Sequence, residues 1–294
     1  MEGAFVRATC AYRTVVGHFE FAGVCKMKST PTKVVYTAVF GNYDHVPAVN
    51  PEWDCDFVCF TDNPELASRG WQMVMVQLNG ESPAQVNRRY KMLPHKYLPN
   101  YKRSLYVDGN IRIMADPRPL FEKYLEKSVI AIPKHQDRNC AYAEARLCIK
   151  GGRVDKEIAE QQMARYSADG FPEKFGMTEN GIIFRRHHDE NVIAMMDSWW
   201  EEYCYGGRRD QLSLPYLIWK HKIDVLECTE GPRISAKFFE IELHAIDKSK
   251  SFIKRLARQA NGKKNLSYYY LIVSKVVSLV VVVRDNLKMK NRKS

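Results

Sequence analysis

The sequence lacks most of the marks that assign a class at once. Its eight cysteines (Cys10, Cys25, Cys55, Cys59, Cys140, Cys148, Cys204, Cys228) form no C-x-x-C pair and no regular framework. That speaks against a disulfide scaffold or a ribbon-type zinc site, and for buried, reduced thiols in a reducing compartment. There is no G-x-S-x-G and no His-Glu-x-x-His, so a hydrolase on a similar α/β sheet has no specific support. The N-terminus has no apolar core of the signal-peptide kind, and no early segment could span a bilayer. Internal repeats and low-complexity segments are missing too. The expectation is a cytoplasmic globular chain.

Acidic residues are what the C-terminal part lacks. From Lys250 to Ser294 there are twelve Lys or Arg and one acid, Asp285, whereas Met1 to Ser249 holds 33 of each sign. The net charge of +11 therefore belongs to a basic tail on a neutral body. A nucleic-acid-binding protein would carry bases interleaved with aromatics across its folded part, so no nucleic-acid partner is expected.

Short apolar runs alternate with helical patterns. Val34–Phe40, Asp56–Thr61, Trp71–Leu78, Leu105–Val107, Val129–Ile132 and Gly181–Phe184 read as strands. Ser82-Pro83, Asp116-Pro117, Asp189 and Arg209-Asp210-Gln211 open helices, and Arg153–Tyr166 forms another. Strands alternating with helices imply an α/β fold with a mostly parallel sheet. Three parts follow: an extension over 1–32, a domain over 33–247 and a tail over 248–294.

The centre of the pattern is Leu105-Tyr106-Val107-Asp108-Gly109-Asn110-Ile111. Asp108 past the carboxyl end of a buried strand would stand where open α/β sheets bind ligands, with Gly109 allowing a close backbone approach. Asp-Gly between alternating apolar residues is equally a hairpin signal, and the stretch alone leaves both open. The series of strands around it favours the first.

In order along the chain stand Phe40-Gly41-Asn42-Tyr43-Asp44, Phe60-Thr61-Asp62-Asn63, Tyr106-Val107-Asp108-Gly109-Asn110, Glu179-Asn180-Gly181 and Arg209-Asp210-Gln211. This set resembles nucleotide-sugar glycosyltransferases of the GT-A fold. It is most similar to a glycosyltransferase-like family, long called a domain of unknown function, found in plant Golgi proteins linked to cell-wall mucilage and in bacteria. The resemblance covers roughly Lys33 to Leu226. It implies a GT-A-like sheet, a nucleotide-sugar donor and a glycan or lipid-linked glycan acceptor, in surface polysaccharide or glycolipid synthesis. By the same resemblance Phe40, Tyr43 and Asp62 would contact base and ribose, and Arg88 and Lys91 would supply cations. Asn180, Gly181, Asp210 and Gln211 would line the sugar side. Asp108 and Asn110 take the two ends of the family's Asp-x-Asp, with an amide where the second acid is usual. Two routes stay open. A divalent cation (Mn²⁺ or Mg²⁺) binds through Asp108, Asn110 and a later residue such as His244, or Arg88 and Lys91 neutralise the diphosphate alone.

Transfer also needs a carboxylate near the sugar, as base or as partner of the positive centre. Asp210 is the first choice and Glu179 the second, although Asp210 could simply cap its helix. Arg88 and Lys91 could merely solvate a helix face. Trp199 and Trp200 could form a sugar platform, but Trp199 shares the helical spacing of Met195, Met196 and Tyr203, which reads as core. His135, Arg138, His187 and His188 are secondary candidates for acceptor contact. The apolar stretch Tyr268–Val283, basic on both sides, is short for a spanning helix and suits an anionic membrane surface or packing on the body.

Overall fold

The computed structural model describes residues 32–247 and 250–290, which belong to one compact unit. The expected extension over 1–32, with Cys10 and Cys25, falls outside the described residues except for Thr32, as do Arg292 and Lys293 of the tail.

Six of the seven strands of the main sheet run parallel. The order is β3 (Gln72–Met75), β2 (Asp56–Thr61), β1 (Lys33–Val39), β4 (Arg103–Val107), β7 (Ile182–Arg185), β6 (Ile130–Ile132) and β8 (Val225–Glu227), with β7 antiparallel to both neighbours. β1, β4 and β7 are buried along almost their whole length, as sheets covered on both faces require. Helices supply that cover. Among them are α1 (Pro83–Met92), α2 (Pro94–Tyr97), α3 (Arg118–Leu125), α4 (Ala141–Lys150) and α5 (Lys156–Ala168). α6 (Glu190–Tyr205), α7 (Asp210–Lys220), α8 (Phe252–Lys263) and α9 (Tyr268–Lys290) complete them. This mostly parallel sheet flanked by helices is the GT-A-like architecture implied by the resemblance.

The local signals work as chemistry predicts. Ser82 Oγ accepts from Gln85 N at 3.3 Å with Pro83 at the first helical position, and Asp189 caps α6 through Asn191 N and Val192 N. Pro94 ends α1, because it cannot donate and restricts the residue before it. Trp199 is fully buried and Trp200 nearly so, so both are core and no sugar platform exists there. Cys59, Cys148 and Cys228 are buried thiols.

The Asp108-Gly109 segment is not a hairpin turn. β4 pairs with β1 and β7, while the next strand, β5 (Ile111–Ile113), leaves the main sheet and pairs with β9 (Phe239–Ile241). Besides the expected approach of a ligand, Gly109 has a packing reason. A Cβ there would stand 2.6 Å from Val39 Cγ2, inside a close-packed region. Gly109→Ala is expected to lower the urea midpoint by a destabilisation of about 1–3 kcal/mol.

Candidate active site

Topology brings distant segments to one edge of the sheet. Asp108 follows the carboxyl end of β4, and Pro133 follows that of the parallel β6. Because β7 runs the other way, its preceding residues Asn180 and Gly181 reach the same edge. A cavity of about 580 Å³ opens there, in the position where α/β sheets bind ligands. Arg88, Lys91, Asp108, Asn110, Glu179, Asn180, Gly181, Asp210, Gln211 and His244 all line it.

Its floor is ionic. Lys91 Nζ donates to Asp210 Oδ2 at 2.8 Å and lies 3.5 Å from Asp108 Oδ1, with the Lys91 side chain only 2% exposed. Lys91 therefore does not solvate a helix face. From behind, Tyr36 Oη and Arg185 Nη1 each donate to the Lys91 carbonyl at 3.0 Å, fixing the last turn of α1. Arg88 Nε stands 3.5 Å from Asp210 Oδ2. Burial would raise the Asp210 carboxyl, but Arg88 and Lys91 outweigh it and hold the group well below the usual carboxylate range. Nor does Asp210 cap a helix by its side chain. It is the first residue of α7, and Arg209 stands at the cap without a side-chain bond.

Asp108 is positioned from two sides. Tyr106 Oη donates to its Oδ1 at 2.9 Å, and its backbone N–H donates to the Gly181 carbonyl at 2.9 Å. Gly181 leaves room for the carboxylate, since a Cβ there would sit 3.1 Å from Asp108 Oδ2. Asn110 Nδ2 donates to the Glu242 carbonyl at 2.9 Å, which frees its amide oxygen. His244 Nδ1 and Asp44 Oδ2 are 2.6 Å apart. Burial pulls the imidazole pKa down, yet the Asp44 carboxylate prevails and raises it.

Three groups here could hold a divalent cation: the Asp108 carboxylate, the Asn110 amide oxygen and His244 Nε2. The donor set fits a hard metal with one nitrogen, and a carboxylate behind the histidine is the usual arrangement for an imidazole ligand. Among the described residues no three Asp, Glu, His or Cys side chains cluster at ligand spacing. The set thus depends on the amide.

On the opposite wall, Glu179 lies 3.1 Å from Arg233 Nε. Burial pushes its carboxyl up to about 7, with Arg233 opposing. Thr178 ties two neighbours together. Its hydroxyl donates to Asn180 Oδ1 at 2.7 Å and its carbonyl accepts from Gln211 Nε2 at 3.2 Å. Asn180 Nδ2 is buried on the cavity wall with no hydrogen-bond partner among the described residues, a donor left for a ligand.

Three residues expected to contact the donor do not line this cavity. Phe40 is 3% exposed and packs on Tyr90, its ring centroid 5.7 Å away, so its side chain belongs to the core. Asp62 Oδ1 accepts from Gly41 N at 2.9 Å, holding the turn after β1, where Gly41 has φ +66°. Tyr43 is half exposed and its ring lies 4.9 Å from the His244 ring, beside the cavity. Of the secondary candidates, His135 lines the cavity, Arg138 pairs with the buried Glu144, and His187 is fully buried. Burial brings His187 down to about 3, so it stays neutral.

Sequence reasoning missed Arg153, Arg209, Arg233 and Arg258 on the cavity wall, and Asp44 behind His244. Arg209 and Asp44 stood inside the quoted motifs and could have been drawn in. Arg258 counted only as part of the basic tail, yet α8 brings it, Asn261 and Gly262 to the cavity, and Arg258 pairs with Asp247.

The sequence profile of the TOD1/MUCI70 glycosyltransferase-like domain matches residues 66–242, which is more than half of the chain and includes most of these groups. The chain belongs to the TOD1/MUCI70 glycosyltransferase-like domain family. A relative in that family, the probable hexosyltransferase MUCI70 of Arabidopsis thaliana, is 26% identical over 239 residues. That match takes in 71% of this chain and 41% of the relative, so the chain spans about two fifths of the relative's length. Among solved structures, mouse xyloside xylosyltransferase 1 in its apo form superposes with a TM-score of 0.43 at 10% identity, over 69% of this chain and 88% of that one. The galactosyltransferase LgtC, in complex with donor and acceptor sugar analogues, gives 0.37 at 14% identity, over 67% and 73%. Likenesses this weak carry no argument about mechanism.

Proposed function

We propose that this TOD1/MUCI70-family domain transfers a hexose-type sugar from a nucleotide-sugar donor to a glycan or lipid-linked glycan acceptor. The observation that carries the reading is the buried Lys91 ammonium. It bridges Asp108 and Asp210 on the floor of a cavity at the carboxyl edge of the sheet. Glycosyl transfer must neutralise a departing diphosphate while positive charge grows on the anomeric carbon, and a site with fixed cations beside a fixed carboxylate meets both demands.

The roles divide by charge. Asp210 stays ionised, so it suits the developing oxocarbenium-like centre better than proton abstraction. Glu179, with its carboxyl near 7, suits the general base that takes the acceptor hydroxyl proton, which reverses the order expected from sequence. Asn180 Nδ2 and the Gln211 amide oxygen orient sugar hydroxyls. Arg88 and Lys91 face the leaving phosphates. Asp108, Asn110 and His244 would hold a divalent cation, which when bound supplies further charge neutralisation on the diphosphate.

Nucleotide-induced thermal stabilisation tests this without knowledge of the acceptor. One of UDP, GDP, CMP or dTDP is expected to raise the melting temperature of the protein, by several degrees at saturating ligand, and Asp108→Ala to cancel the gain. Chelator reversing the shift would support the cation. No shift with any nucleotide, with or without Mn²⁺ or Mg²⁺, would remove the transferase reading.

A further inference from the structure

Helix α9 wears its apolar side chains on the outside. Ser274 and Val277 are each 8% exposed and mark the face turned inward. Tyr268, Tyr269, Ile272, Val276, Leu279 and Val280 are 44–77% exposed. At 3.6 residues per turn these six fall within an arc of roughly 120°, opposite Ser274 and Val277. The fold turns Ser274 in and leaves the apolar stripe out.

A contiguous apolar stripe on one helix marks an interaction face, unlike scattered single residues. What would cover it follows from charge. Lys275 borders the stripe and is exposed, and although Lys250, Arg258, Lys263 and Lys264 pair with acids of the fold, the segment from Lys250 onward holds twelve bases against one acid while the rest of the chain is neutral. A second copy pairing stripe to stripe would bring two such basic segments together. A nucleic acid would satisfy the bases and leave the stripe in water. An anionic bilayer surface satisfies both, with apolar side chains at the headgroup–acyl boundary and bases among the lipid phosphates. Among the described residues no helix is long and apolar enough to cross a membrane, so α9 lies on the surface.

We propose that the α8–α9 pair is a docking face for an anionic membrane surface, with the α9 stripe as its buried anchor. α9 packs on α8, and α8 supplies Arg258, Asn261 and Gly262 to the cavity wall. The docked cavity therefore stands within about two helix diameters of the lipid, on the order of 20 Å. Docking is independent of the transfer reading. Only the corollary, that the acceptor is presented from the bilayer, rests on it.

The test is flotation of the full chain with phosphatidylglycerol-containing vesicles against phosphatidylcholine alone, at low and high salt. The variant I272S/V276S/L279S keeps the net charge and changes only exposed side chains, so its circular dichroism and melting should match the parent. The parent is expected to float with anionic vesicles, less so in high salt, and the variant to bind at least about tenfold more weakly. Equal binding by parent and variant would overturn the proposal, since charge alone would then be acting. Absence of binding to anionic vesicles would overturn it too. So would a dimer in light scattering that the variant converts to monomer, which would assign the stripe to a second copy. Nucleotide stabilisation, measured without lipid, reports separately on the transfer reading.

Discussion

Replacing Lys91 by methionine is expected to lower transfer by about a thousandfold and to destabilise the fold by roughly 3 kcal/mol. Both losses have one origin. The ammonium is almost completely buried and bonded to Asp210, itself 7% exposed. Without it, Asp210 keeps Arg88 at 3.5 Å and the smaller pull of Arg209, and a buried carboxylate with less compensation is costly. Urea denaturation and single-turnover transfer measure the two effects. Adding Asp210→Asn removes the stranded charge, so K91M/D210N should regain much of the stability while transfer stays lost. A double variant no more stable than K91M would show that the ion pair is not the cause.

The second large effect concerns Glu179. With its carboxyl near 7, the group is half ionised at neutral pH, and a general base must be ionised to act. kcat/KM is expected to rise with pH through about 7, and Glu179→Gln to lower it by about 10²–10⁴-fold and flatten the profile. Stability should move in the opposite direction. The folded protein holds the Glu179 proton up to about 7, whereas an ordinary glutamate releases it near 4.5. Across that window the unfolded chain binds fewer protons, so raising the pH weakens the fold. E179Q removes this penalty. It should be the more stable protein above pH 7, by up to roughly 3 kcal/mol, with the difference gone below about pH 4.5. Equal stability of the two proteins across that range would place the Glu179 carboxyl at an ordinary value and return the base role to Asp210.

What could be read in the sequence was local. The strand leading into Asp108, the caps at Ser82 and Asp189 and the start of α7 each carry a signal within a few residues. Partners do not. Lys91 meets Asp210 across 119 residues, Asn110 meets Glu242 across 132, and His244 meets Asp44 across 200. Nothing near Lys91 in the chain shows that it is buried and paired, so solvated face and active-site cation read alike. Phe40 reads ambiguously for a related reason. An apolar residue ending a strand is compatible with stacking on a base or with the core, and only the position of Tyr90 decides. The strands β8 and β9 are three residues each, too short for periodicity to register.

Those same separations set an order of events during folding. β1, β2, β3 and β4 can pair once roughly the first third of the chain is available, since all four precede Asp108. Asp44 must then wait for His244, and the turn after β4 must wait for β9 to pair with β5. Loops of such length close slowly. A nascent chain that has completed the first strands therefore carries Asp108 without the Asp210 partner of Lys91 and without the Glu242 carbonyl that holds Asn110. The cavity is completed last, when α7, β9 and α8 settle on a sheet already formed, so an incompletely synthesised chain would fold in part without it.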